Sequence, residues 1–290
     1  METSVGSRVH GFVVRRVTPV DLLDSRAVEL EHEATGLRLL HVQNDDSENL
    51  FSIVFPTAPT DDTGVPHILE HSVLAGSQKY PAKEGFFGLL QRSLATFINA
   101  MTADEHTLYP VSSTVPKDLL NLADVYWDAV FHPLLTEHTF RREGHRLELT
   151  QPGDRSSDLV FKGIVYSEMQ GNYSGAEALA WRAMDQALFP DSTYGLDAGG
   201  DPDAIVTLTY EGFRSFYERH YHPSHAMVVV YGNIPTETYL QFVAERLQSV
   251  LPSSQRPVPS RSQPRWSAPR VCRVKVPVAE SEAGRSWLGW

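Results

Sequence analysis

Between Gly64 and Gly76 the chain reads Val65-Pro66-His67-Ile68-Leu69-Glu70-His71-Ser72-Val73-Leu74-Ala75. This segment has little freedom to be anything but a two-faced helix. Pro66 stands in a first turn, where a missing N–H costs little, and Gly76 is placed to end the helix. At 3.6 residues per turn His67 and His71 share a face, and Glu70, three residues after His67, lies on the same side. Ile68, Leu69, Val73 and Leu74 make the helix partly buried, and histidines on a partly buried helix need partners.

Two imidazoles one turn apart have the spacing that two ligands of one metal ion require. With a carboxylate as third ligand they leave a position open for water, whose pKa zinc lowers to about 7. Glu70 is then placed to take that proton and hand it to a leaving amine. The order inverts His-Glu-x-x-His, and the inverted form is itself a zinc-peptidase signature. Five residues alone are only suggestive, because two solvated histidines beside a glutamate are the ordinary alternative. Cys272 is the single cysteine, so neither an internal disulfide nor a multi-cysteine metal knuckle is available. One zinc per chain would therefore use His and carboxylate ligands. Glu168, in the apolar helix start Gly163-Ile164-Val165-Tyr166-Ser167-Glu168-Met169, is a candidate third ligand, since a carboxylate in such surroundings needs a partner. A solvated glutamate on a long helix is its ordinary alternative.

The remaining pattern predicts an α+β domain: a mixed, mainly antiparallel sheet covered on one face by helices. Residues 27–33 and 37–43 alternate around Ala34-Thr35-Gly36, a hairpin signal, and Leu50 to Phe55 is a further strand. A short helix is expected over Glu84 to Arg92, then strands at Phe97–Ala100 and Thr107–Ser112. Helices follow from Pro116 to Phe131 and Thr136 to Gly144, and a short strand from Arg146 to Thr150. One long helix is expected from Gly163 to Leu188 and another over Tyr210–Tyr221. A buried strand over Ala226–Tyr231 and a helix over Thr236–Leu251 complete the domain, which is expected to span 1–251. Residues 252–270 hold five prolines, five serines and four arginines, the composition of a linker. Val271 to Val278 alternates like a new strand, so 271–290 reads as the start of a second, truncated domain.

Net charge is −11, from 25 basic and 36 acidic residues. That argues against nucleic acid as a partner and suits basic peptides, although many proteins carry such charge for solubility alone. The most apolar run, Met227-Val228-Val229-Val230-Tyr231, is strand-sized, so no membrane span is expected. The N-terminus lacks a secretory pattern, which makes the cytoplasm the default compartment, or an organelle matrix if a presequence has been removed. His220, His222 and His225 lie close together, but Tyr221, Pro223 and the following apolar strand favour a structural turn over a second metal site.

Several blocks, in order, resemble one family. They are Gly64-Val65-Pro66-His67-Ile68-Leu69-Glu70-His71, Gly76-Ser77-Gln78-Lys79-Tyr80-Pro81, and the stretch from Phe97 through Asn99-Ala100 to Thr107-Leu108-Tyr109-Pro110. Leu159-Val160-Phe161-Lys162-Gly163 leading to Ser167-Glu168-Met169, Gly199-Gly200-Asp201-Pro202 and Tyr221-His222-Pro223-Ser224 follow. Across roughly 9–250 the chain resembles the presequence proteases, relatives of pitrilysin and insulin-degrading enzyme. The resemblance implies His67, His71 and Glu168 as zinc ligands and Glu70 as general base. Glu168 falls 97 positions after His71, the spacing of this branch. Glu148, at the 77-position spacing of the insulin-degrading branch, is rejected because Arg146-Leu147-Glu148-Leu149 does not match the ligand motif. Asn99, Ala100, Met101 and Thr102 match an edge to which a substrate peptide adds as a strand. Leu74, Phe86, Phe87 and Leu90 match an apolar pocket for the side chain beside the cut bond, with plain core packing as the alternative. Family members are several times longer, and a far half, which also holds the substrate, closes a chamber. The expectation is thus a zinc endopeptidase domain for short unfolded peptides, whose partner is a missing C-terminal half or separate domain. A peptide-binding scaffold of the same fold and a zinc hydrolase for other substrates are the alternatives.

Overall fold

The computed structural model describes residues 4–81, 88, 92–248, 250–253, 255–275 and 284. In chain order the strands and helices are β1 (Arg8–Val9), β2 (Phe12–Val20), β3 (Ser25–His32), β4 (Arg38–Gln43), β5 (Asn49–Pro56) and α1 (Val65–Val73). Next come β6 (Ala95–Ile98), β7 (Met101–Thr102), β8 (His106–Ser113), α2 (Pro116–Phe131), α3 (Glu137–Glu143), β9 (Arg146–Leu149) and β10 (Leu159–Lys162). The last are α4 (Ile164–Asn172), α5 (Ala176–Leu188), α6 (Pro202–Ile205), α7 (Tyr210–His220), β11 (Met227–Gly232) and α8 (Thr236–Leu247).

Among the described residues nine strands form one sheet in the order β1-β2-β3-β4-β11-β5-β8-β6, with β7 also paired to β8. Only β4 and β11 run parallel; the other pairs are antiparallel. Alternation along each strand turns every second side chain to the same face. The register therefore lines up two rows across five strands. One runs Leu30, Leu39, Val228, Ile53, Tyr109, and the other Val28, His41, Val230, Phe51, Val111. All ten are at most 2% exposed, and this face carries the apolar side chains of the helices, among them Leu119, Leu122, Tyr126, Phe213, Tyr239 and Val243. The opposite face of β2 and β3 carries exposed arginine–glutamate pairs instead: Arg15 with Glu31 at 3.1 Å, and Arg16 with Glu29. The architecture is the expected one.

Three local expectations change. The long helix over 163–188 is two helices, α4 and α5, broken at Tyr173-Ser174-Gly175; the Tyr173 hydroxyl donates to Asp197 at 2.5 Å. The helix over 236–251 ends at Leu247. Residues 252–270 have linker composition and no regular structure where described, yet they lie against the domain. Arg261 donates to Thr193 Oγ1 (2.9 Å), accepts from Thr193 N (3.2 Å), and Trp266 Nε1 donates to Leu188 O (3.3 Å). Residues 271–275 form no strand, and most of the expected helix at 84–92 and most of 276–290 lie outside the described residues.

Two histidines sit in the core as neutral imidazoles. His41, 0% exposed, faces Thr236 Oγ1 at 2.8 Å and Gly232 O at 3.3 Å. His220, also 0% exposed, donates from Nδ1 to Pro56 O at 2.7 Å. Burial depresses both pKa values to about 4, against the raising effect of those carbonyls. Below pH 6.5 the unfolded chain gains protons that the folded one refuses until about pH 4, so stability falls through that window. The loss should reach about 3 kcal/mol per histidine. Urea unfolding between pH 7 and 4 checks this: His41→Phe should start less stable but show a shallower acid slope, and an unchanged slope would mean His41 is not held neutral.

Candidate metal centre

α1 begins at Gly64, whose φ of +65° lies in the left-handed region and whose Cβ, if present, would stand 2.5 Å from the carbonyl oxygen of Gly199. Only glycine fits there. The helix then divides as its spacing dictates. Ile68, Leu69 and Val73, each 0% exposed, enter the core, while His67, Glu70 and His71 face a cleft. The two imidazole rings are 5.0 Å apart and nearly perpendicular, at 77°.

Glu168 arrives from α4, anchored by buried Val165 and Met169. The start of α4 is pressed onto the end of α3: a Cβ at Gly163 would lie 1.8 Å from the carbonyl oxygen of Gly144. This approach sets Glu168 opposite both histidines, with Oε2 3.7 Å from His67 Nε2 and 3.8 Å from His71 Nε2. One donor atom from each of the three residues falls within 4.8 Å of the others. Tetrahedral ligands bound at about 2.1 Å sit roughly 3.4 Å apart, so the set fits a divalent ion with a modest contraction. The far sides of the imidazoles are occupied. His67 Nδ1 donates to Gly199 O at 3.2 Å, and His71 Nδ1 lies 3.4 Å from Glu143 Oε2. Both Nε2 atoms are left facing Glu168.

Glu70, 8% exposed, accepts a hydrogen bond from Thr102 Oγ1 at 2.7 Å. Burial alone would lower the pKa of His71; the contact with Glu143 and the charges of Glu70, Glu143 and Glu168 outweigh it, and the net shift is upward. The carboxylates of Glu70, Glu143 and Glu168 thus make this pocket acidic.

Asn99, Ala100, Met101 and Thr102 line the same cavity of about 560 Å³ as His67, Glu70, His71 and Glu168, on the sheet edge formed by β6 and β7. Leu74 ends α1, packs against the core and is not among the cavity-lining residues. Phe86, Phe87 and Leu90 lie outside the described residues. Glu148 is away from the centre, paired with Arg146 at 2.6 Å on β9. His220, His222 and His225 each bond a different partner, Pro56 O, Ser224 N and Gln255 O, and form no metal group among the described residues. Sequence reasoning missed Glu143 and the Gly199 carbonyl. Neither leaves a local signature, because both reach the histidines through tertiary packing.

Comparison with known proteins places the chain in a family. The family described as "Insulinase (Peptidase family M16)" matches residues 57–175, and "Peptidase M16 inactive domain" matches 207–290. The chain is 46% identical over 274 residues to "Presequence protease, mitochondrial" of Mus musculus, covering 94% of this chain and 26% of that protein. For the Xenopus laevis protein of the same name the identity is 48% over 275 residues, covering 95% and 27%. A crystal structure of pitrilysin superposes with a TM-score of 0.60 at 18% identity, over 89% of this chain and 25% of that one, a likeness of fold. The chain belongs to the insulinase family of peptidases, family M16. It spans about a quarter of the length of the curated relatives it matches.

The contact between α3 and α4 is testable. Gly163→Ala places a methyl carbon in a backbone oxygen that cannot step aside, and should destabilise the domain by at least about 2 kcal/mol. An unchanged urea midpoint for that variant would mean the two backbones do not touch.

Proposed function

We propose that this chain is the zinc-binding catalytic domain of an endopeptidase that hydrolyses short unfolded peptides. The observation that carries the reading is the convergence of His67, His71 and Glu168 beside a Glu70 already held by Thr102. Zinc bound there would supply Lewis acidity and lower the pKa of a water it holds to about 7. Asn99 to Thr102, on the open sheet edge, receive the peptide as an added strand, which orients its carbonyl toward the cleft. Glu70 has one oxygen fixed by Thr102. It takes the proton as the water oxygen bonds to the carbonyl carbon, then delivers that proton to the nitrogen as the C–N bond breaks. The net acidity of the cleft favours basic peptides. Because the matched relatives are named for presequences and for mitochondria, targeting peptides are the proposed substrates and an organelle matrix the proposed compartment. Among the described residues no helix is long and apolar enough to cross a membrane.

A second reading is favoured by length. The chain covers about a quarter of its relatives, so residues 1–251 would form one wall of a chamber closed by a C-terminal half or a separate domain, with weak or no turnover alone. In this reading 252–270 is the connector and 271–290 the start of the next domain.

Cleavage of a fluorogenic unfolded peptide by the chain with zinc tests both. Glu70→Gln should retain one zinc per chain and lose at least about 100-fold in rate. Equal turnover in that variant would sink the mechanism. Bound zinc with no cleavage by either form would select the second reading.

A further inference from the structure

The two histidines of the centre are backed by different groups. His67 has a neutral carbonyl behind it, that of Gly199. His71 has Glu143, the last residue of α3, which is 2% exposed. The Glu143 carboxylate divides its oxygens. Oε1 accepts from Arg142 Nε at 2.5 Å, and Oε2 faces His71 Nδ1 at 3.4 Å, about 0.2 Å beyond the usual hydrogen-bond range. A carboxylate this deeply buried is costly unless it is paired. An ion pair with Arg142 alone would not require it inside, since the Arg142 side chain is itself 27% exposed. The position of Glu143 is set by the same junction that sets Glu168: Gly144, the next residue, carries the carbonyl against which Gly163 packs.

We infer that Glu143 is a positioning residue for the metal centre: it holds His71 as the Nδ1–H tautomer, fixes the plane of the ring, and makes Nε2 a stronger donor. A carboxylate behind a ligating imidazole has these effects generally, and losing one typically costs 10–100-fold in metal affinity. The inference rests on the reading of His67, His71 and Glu168 as zinc ligands. It divides the labour of the centre. Glu168, 48% exposed, meets the ion from the cleft, while Glu143 acts from inside through His71.

The test uses the full chain labelled with ¹⁵N at histidine. Two-bond ¹H–¹⁵N spectra of the metal-free protein, at a pH where His71 is neutral, report its tautomer. Competition with a chelator gives the zinc Kd. Glu143→Leu should shift His71 toward the Nε2–H tautomer and weaken zinc about 10–100-fold. Glu143→Gln keeps an acceptor of the same shape, so the tautomer should persist while zinc weakens by less than in Glu143→Leu. Arg142→Gln removes only the outer pair and should leave tautomer and affinity within about twofold. Glu143→Leu with unchanged tautomer and Kd overturns the inference, as does Arg142→Gln producing the same losses. If Glu143→Leu fails to fold, a Glu143→Gln protein that binds zinc as tightly as wild type overturns it as well. A wild-type chain that binds no zinc overturns the zinc reading instead, and the metal-free spectra keep the two failures apart.

Discussion

Helix α1 must serve two environments with nine residues, and the rest of the domain is arranged around that demand. The 3.6-residue turn sends Ile68, Leu69 and Val73 into the core and His67, Glu70 and His71 into the cleft. Packing of the first set fixes the second. Gly64 allows the helix to begin hard against Gly199, which both locates the helix and turns the Gly199 carbonyl onto His67. The sheet contributes through its edge, since β7 carries Thr102 to Glu70.

The electrostatics of the cleft follow from what gathers there. Glu70, Glu143 and Glu168 surround two imidazoles, and like charges brought together repel unless a cation or proton joins them. The core uses the opposite solution for His41 and His220, which stay neutral because burial penalises their charge. One residue type thus plays two roles in one fold, selected by whether carboxylates stand nearby.

Much of this was legible in the sequence where the relevant physics is local. The spacing of His67, Glu70 and His71 needs only helical geometry, and the hairpin of β3 and β4 only alternation around Ala34-Thr35-Gly36. Strand β2 escaped notice because Phe12, Val13 and Val14 are all buried and a bulge follows between Val14 and Arg16, so no alternation shows. The break between α4 and α5 was hidden because Tyr173 is drawn to Asp197, a contact invisible along the chain. The third residue of the centre, Glu168, was a candidate from its apolar helix start and was singled out over a solvated glutamate by the motif and spacing of a resembling family. Glu143 left no such trace, since its approach to His71 depends on α3 and α4 meeting at Gly144 and Gly163.

The arginine–glutamate pairs on the uncovered face of β2 and β3 are exposed and individually worth little. Arg16 stands directly across from Glu29, so sliding β2 by one residue would flip its side chains between faces, burying charge and exposing Phe12 or Val14. During folding, a misthreaded β2 would therefore be penalised twice, by its charges and by its core. The pairs act less as glue than as a proofreading mark, one that salt would blunt without loosening the finished sheet.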